Sequence, residues 1–217
     1  MHLPSVTIMN VLNRINDQSL HSQMVSLDVR AAFDTAKPHV INSLLGIIFP
    51  TSADFLYQLH RWTSRGSAII TANGVEGRLF YLLSGTGQGD PSSSTRFLIL
   101  QHLQAAFVRH ALEAAGASFH LQDVDGAVPP LLFADDTFVF SRFSNRVQID
   151  EFLEDLEFIS ELTGLEINRG KTKIISPFPP DDEFHHVLRP LGEVTEELTH
   201  LGIVWSNTVD SSAAATY

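Results

Sequence analysis

Three aspartates are set among residues that do not usually keep company with charge. Asp28 closes the apolar stretch Met24-Val25-Ser26-Leu27, and Asp135-Asp136 stands between Leu131-Leu132-Phe133 and Thr137-Phe138-Val139-Phe140. Isolated buried charge is costly, so carboxylates in such surroundings need partners. Two acids adjacent in the chain also repel each other. A divalent cation relieves both problems, and Mg²⁺ favours carboxylate and phosphate oxygens. A lone Asp-Asp pair is more often an exposed turn, where Asp is common. The apolar flanks on both sides set this pair apart from that ordinary case.

Around these acids lie groups with weaker signals. Gly85-Thr86-Gly87-Gln88-Gly89 is a glycine-rich loop that allows close approach of backbone to a ligand, though a plain loop-to-helix turn uses the same residues. Lys171 reads equally well as a phosphate-reaching cation or as a solvated loop lysine. Phe33, five positions after Asp28, is by default a core aromatic, and Asp34 reads as a structural acid. Arg61, Arg65, Arg78 and Arg96 are candidates for backbone phosphate, each individually more ordinary as surface. The ten histidines show no metal-binding spacing, and adjacent His185-His186 is poor geometry for one ion. With no cysteine, there is neither a disulfide nor cysteine-ligated zinc.

These groups must be held by a folded scaffold. Hydrophobic residues are 44% of the 217, enough for a real core. No apolar run approaches the roughly 20 residues of a membrane helix. The start, Met1-His2-Leu3-Pro4, lacks signal-peptide character, so an intracellular protein away from membranes is expected, with nucleus and cytoplasm left open. Lys+Arg number 14 against 25 Asp+Glu, a net charge of −11, which by itself argues against a polyanionic partner.

Hydrophobic spacing predicts helices over 5–17, Pro38–Ile48 and Ser52–Thr63, a buried strand over Met24–Val29, and a hairpin turning at Asn73-Gly74 between 68–71 and 79–83. A long, largely buried helix follows, with Asp90 as its cap, Pro91 at its first position and an end near Ala115-Gly116. Short strands flank Asp135-Asp136. Gln148–Thr163 is an amphipathic helix stopped by Gly164. β-like segments lie at 165–167 and 173–175, and a last strand over Leu201–Trp205. The expected class is α+β with an antiparallel sheet packed on helices. Three stretches are expected: 1–176 as the main body, 177–205 as its end, and 206–217 as a loose tail.

Taken together, the motifs resemble those of reverse transcriptases, in particular the non-LTR retrotransposon and group II intron branch. Leu27-Asp28-Val29-Arg30-Ala31-Ala32-Phe33-Asp34 resembles the family's first catalytic motif. Gln88-Gly89-Asp90-Pro91 resembles the second and Phe133-Ala134-Asp135-Asp136 the third. Gly164 to Asn168 with Lys171-Thr172 resembles the fourth, and His200-Leu201-Gly202 the primer grip. The five motifs stand in the family's order across residues 26–203.

The resemblance implies a polymerase palm with partial fingers, in which 177–205 ends the palm with a primer-grip-like strand at Leu201 and Gly202. It implies RNA-templated DNA synthesis from deoxynucleoside triphosphates on a DNA primer and an RNA template. Asp28, Asp135 and Asp136, with the Val29 carbonyl, would hold two Mg²⁺ ions, or Mn²⁺ in their place; two metals about 3.5–4 Å apart stabilise both attacking and leaving oxygens. Phe33 would exclude the ribose 2′-hydroxyl. Gln88 and Gly89 would meet the incoming nucleotide, and Lys171 its triphosphate.

Gly87 stands where the family has a basic residue, and Ser92-Ser93 where it has Leu-Ser. Only 27 residues precede Asp28, and no thumb follows Trp205. The expectation is therefore a palm whose missing fingers and thumb belong to a longer parent protein. Two alternatives stay open: a truncated, catalytically inactive palm remnant that still folds and binds metal or a partner, and a nucleotide cyclase-like palm, which would lack the Gln88–Pro91 loop.

Overall fold

The computed structural model describes residues 22–30, 32–64, 67–81, 85–86, 92–121, 125–133, 136–176, 183–200 and 203–206. Among these the elements run β1 (Gln23–Leu27), α1 (Ala32–Thr35), α2 (Pro38–Ile48), α3 (Ala53–Ser64), β2 (Ser67–Ala72), β3 (Val75–Tyr81), α4 (Ser93–Ala114), β4 (Leu131–Phe133), β5 (Asp136–Ser141), α5 (Arg146–Thr163), β6 (Lys173–Ile175), α6 (Phe184–Leu188), β7 (Glu193–Thr195), β8 (Glu197–His200) and β9 (Ile203–Ser206). The helix expected over 5–17 and the residues 207–217 lie outside the described residues. The chain divides into two units. One holds Met1–Asp28, Ala105–Leu156 and Ile167–Tyr217; the other holds Val29–Gln104 and Glu157–Glu166.

The first unit is built on a five-stranded sheet of order β4-β5-β1-β6-β7. Three of its pairings are antiparallel, as expected. The β6–β7 pairing is parallel, which requires the crossover that passes through α6. β1 lies at the centre and is buried almost throughout, which explains its near-continuous apolar sequence.

Alternation along β1 separates two faces. Met24 faces the same way as Phe140 and Ile175, its partners on either side. These three join Phe119, Phe138 and Leu198 in one buried cluster, where the Phe119 and Phe140 rings stand 6.4 Å apart. Gln23, Val25 and Leu27 take the opposite face, opposite Ser141, Val139 and Thr137. Gln23 is fully buried and fully engaged there. Its Nε2 donates to the Phe143 carbonyl at 3.3 Å, while its Oε1 accepts from Phe143 N at 3.0 Å and from Ser141 Oγ at 3.3 Å.

Chain-end chemistry follows the sequence closely. α4 ends with Ala117 N donating to Leu112 O at 2.8 Å and Gly116 N to Glu113 O at 3.1 Å, the paired bonds of a Schellman motif. Asp90 and Pro91, expected at its start, lie outside the described residues. Ser92 O accepts from Arg96 N at 3.0 Å, so Ser92 takes the cap position and the helix begins two residues beyond Pro91. In the second unit the β2–β3 hairpin turns where expected, with Asn73 at φ 51° and Gly74 at φ 76°, the signature of a type I′ turn. β8 and β9 form a second hairpin in which His200 pairs with Ile203, and β9 runs to Ser206, one residue into the stretch expected to be loose. Leu201 and Gly202, between the paired residues, lie outside the described set.

Replacing Gln23 with Leu should lower stability by about 2–3 kcal/mol, because Phe143 N, Phe143 O and Ser141 Oγ lose their partners in a buried setting. Urea denaturation measures this; a change under about 0.5 kcal/mol, the usual range for innocuous surface substitutions, contradicts the account.

Candidate functional site

The site grows out of the end of β1. The last printed pairing of β1 with β5 sets Leu27 opposite Thr137. Continuing that antiparallel register by one residue sets Asp28 opposite Asp136. Asp136 in turn pairs with Phe133 on β4. By alternation, Asp28 and Asp136 share the face of Met24 and Phe140. The face therefore changes character along its length. The rows of Met24 and Phe138 are sealed by Phe119 and Leu198; the next row, beyond Ser26, carries the two carboxylates, both half-buried. Asp135 lies outside the described residues.

The turn carrying Lys171 is tied to the same point. Asn168 N donates to the Asp28 carbonyl at 2.7 Å. The Asn168 carbonyl accepts from Lys171 N at 2.9 Å, Thr172 N at 2.9 Å and Thr172 Oγ1 at 3.1 Å. One residue thus anchors both the first acid and the lysine turn. Thr172 is fully buried, while Lys171 is exposed and free to reach outward.

In the second unit the other motif segments are stitched together by main-chain bonds. Gly85 N donates to Ala36 O at 2.7 Å and Thr86 N to Phe33 O at 2.8 Å. Gly85 has φ +90°, and a Cβ there would stand 3.0 Å from the Phe33 carbonyl oxygen, so both its backbone conformation and its close approach favour glycine. Ser93 Oγ bonds Thr86 Oγ1 at 2.7 Å, and Arg96, itself buried, reaches Thr86 O at 3.4 Å. Phe33 is half-buried, with its ring 4.6 Å from that of Phe97.

The fourth-motif segment joins the same unit. Lys37 N donates to Thr163 O at 2.9 Å, Arg30 N to Glu166 O at 2.8 Å, and Gln104 Nε2 to Leu165 O at 3.2 Å. The Lys37 ammonium also donates to the Glu161 carbonyl. An exposed ion pair links Arg30 to Glu166 at 3.2 Å.

Of the residues expected at the site, Asp28, Val29, Phe33, Asp136 and Lys171 are described; Gln88, Gly89, Asp135, Leu201 and Gly202 are not. Asp28, Asp136 and Lys171 come together in the first unit. Phe33 belongs to the second, as does Val29, whose side chain is buried. Of the four arginines considered for phosphate, Arg61 lies 5.9 Å from the Tyr57 ring centroid, Arg78 is exposed on β3, Arg96 is buried, and Arg65 is outside the described set. Asn168 and Thr172 were visible as motif letters, but their anchoring role was not. Among the described residues no three His, Asp or Glu side chains gather to hold an ion. The two described carboxylates, Asp28 and Asp136, are both half-buried, and oxygen donors of this kind are the type that Mg²⁺ prefers.

With this geometry in view, comparison with known proteins is decisive. The model of the reverse transcriptase (RNA-dependent DNA polymerase) family matches residues 2–205. The chain belongs to this family. Among solved structures it is similar to an apo telomerase from Candida tropicalis, with TM-score 0.65 and 13% identity over 95% of this chain. A form of that telomerase truncated from its C-terminal domain gives TM-score 0.61 at 13% identity, also over 95% of this chain. The same organism's telomerase in complex with a TWJ fragment of telomeric RNA gives 0.64 at 14% identity over 98%. This chain spans 34–38% of the length of those telomerase chains. At such identities the likeness speaks for the fold, and the α+β palm-like architecture of a reverse transcriptase is what it shows.

Gly164 is the joint on which the second unit's stitching turns. Its φ is +81°, and a Cβ there would stand 2.1 Å from the Thr35 carbonyl oxygen. Gly164→Ala should cost more than about 3 kcal/mol, combining left-handed strain with a backbone clash. A thermal melt within a degree or two of the parent protein would refute this packing.

Proposed function

We propose that this chain is the palm core of an RNA-templated DNA polymerase that works by two-metal nucleotidyl transfer. The observation that carries the reading is the register of β1 with β5, which, continued by one residue, sets the half-buried Asp28 opposite the half-buried Asp136. Asp28, Asp135 and Asp136, with the Val29 carbonyl, would hold two Mg²⁺ ions or Mn²⁺ in their place. Bound there, the ions would lower the pKa of a primer 3′-hydroxyl and offset charge on the departing pyrophosphate.

The chain's own residues orient the reactants. Asn168 fixes the Asp28 backbone and the Lys171 turn together, so that Lys171 can meet the triphosphate of an incoming deoxynucleotide. Gln88 and Gly89 would contact that nucleotide from the glycine-rich loop, and Leu201-Gly202 would grip the primer. Phe33, braced by Phe97, offers a firm wall against a 2′-hydroxyl. A retroelement of the non-LTR or group II intron type is the proposed origin, acting inside the cell, with fingers and thumb contributed by a longer parent protein. Gly87 and Ser92-Ser93, where the family has a basic residue and Leu-Ser, favour the second reading of a palm that folds but no longer polymerises.

Primer extension on poly(rA)/oligo(dT) separates the two. On the polymerase reading, Asp28→Asn lowers the rate by at least about 10³-fold, since the metal contribution amounts to several kcal/mol. Absence of Asp28-dependent synthesis in both the isolated chain and its longer parent establishes the remnant.

The Phe33 wall gives a separate test. Phe33→Val should raise ribonucleotide use relative to deoxynucleotide use by roughly tenfold, the scale on which a pocket discriminates by size. Unchanged sugar selectivity in single-nucleotide incorporation would assign Phe33 to the core alone.

A further inference from the structure

The face that carries the acids also carries a lysine that no motif assigns. On β6, Lys173 pairs with Ser26 of β1. Ser26 shares its face with Met24 and with Asp28, two residues on. Lys173 therefore stands diagonally from Asp28 on one sheet surface, a separation of about 7–8 Å between diagonal neighbours. Its other strand neighbour is Glu193 on β7.

Lys173 is half-buried and Glu193 exposed. Among the described residues its ammonium has neither a hydrogen-bond nor an ion-pair partner. A lysine so placed lays its aliphatic stem along the sheet and keeps its charged head at the surface. The sheet offers three successive levels here: Leu198 of the β8–β9 hairpin packed in the Met24 and Ile175 cluster, then Lys173, then Asp28.

We propose that Lys173 contacts the phosphate of the primer strand one nucleotide behind its 3′ end. This rests on the polymerase reading above. A strand whose 3′-hydroxyl lies at Asp28 and whose body passes toward the β8–β9 hairpin crosses the level of Lys173. The first thing it presents there is a backbone phosphate, and an uncommitted ammonium is its natural partner. The contact is one of position and charge, so it tightens substrate binding without entering the chemical step.

The test is a fluorescence-anisotropy titration of poly(rA)/labelled oligo(dT) across a salt series, without turnover, using the full chain and its Lys173→Met, Lys173→Gln and Lys173→Arg variants. Losing one phosphate contact should lower the slope of log affinity against log salt by about one in the Met and Gln variants, while Arg keeps it. In extension assays KM for primer–template should rise and kcat stay level, with thermal midpoints unchanged. An unaltered slope in the Met and Gln variants of a chain that binds primer–template overturns the role of Lys173 alone. A parent chain that binds no primer–template overturns the polymerase reading, and this proposal with it.

Discussion

The pairing of β1 with β5 is the constraint from which the rest of the site follows. A central strand in a sheet buried on both sides must be apolar, yet this one ends in a carboxylate. The conflict is resolved by position: among the described residues the cluster around Met24 and Phe140 reaches as far as Phe138, and Asp28 falls one row beyond. Because side chains alternate with a period of two, a slip of one residue would turn Asp28 to the buried face of Gln23, Val25 and Leu27 and Leu27 to the face of Asp136. The buried network of Gln23 with Phe143 and Ser141 resists that slip at the other end of the strand. Its hydrogen bonds are satisfied in one register only, so a polar residue in the dry part of the sheet specifies where the acid stands.

Main-chain bonds carry most of the remaining organisation. Asp28 to Asn168, Phe33 to Thr86, Ala36 to Gly85, Thr163 to Lys37 and Glu166 to Arg30 are all backbone contacts between segments far apart in sequence. Such bonds ask little of side-chain identity except where space forbids a Cβ, as at Gly85 and Gly164. This explains how a fold can be shared with a telomerase at TM-score 0.65 while only 13% of aligned residues are identical.

Much of this was legible beforehand, and the parts that were not have physical reasons. Pro38 at a helix start, Asn73-Gly74 at a hairpin and Gly164 at a helix end are local signals, and each marks its element in the structure. The run Thr137–Phe140 was readable because both faces of β5 are buried. β7 and β8 were missed: Glu193-Val194-Thr195 and Glu197-Leu198-Thr199-His200 are too short and too polar to show a period, and they form through neighbours rather than through pattern. The parallel pairing of β6 with β7 depends on a crossover through α6, which no local signal announces. At the candidate site, Asp28, Asp136 and Lys171 are singled out by motif letters alone. Lys173 was passed over because its significance lies in which face it takes, and that depends on register across strands.

The acidic balance that argued against a nucleic-acid partner loses its force once the charges are placed. Asp150, Glu151, Glu154, Asp155, Glu157 and Glu161 all lie exposed on the single helix α5. With Arg146 on the same helix, α5 carries a net charge of 1 − 6 = −5, close to half of the chain's 14 − 25 = −11. The six acids form the solvated side of an amphipathic helix whose other side is buried through Ile149, Phe152, Leu156 and Ile159. At physiological ionic strength exposed charges farther apart than about 8 Å are largely screened, so a sum over the chain says little about the potential at one surface. At the end of the sheet the local set is Asp28, Asp136, Lys171, Lys173 and Glu193. In that set acids and lysines stand side by side, so the local balance is far from that of the chain as a whole. An acidic helix and a separate face carrying both acids and lysines are compatible in one chain, because exposed charges so far apart act locally.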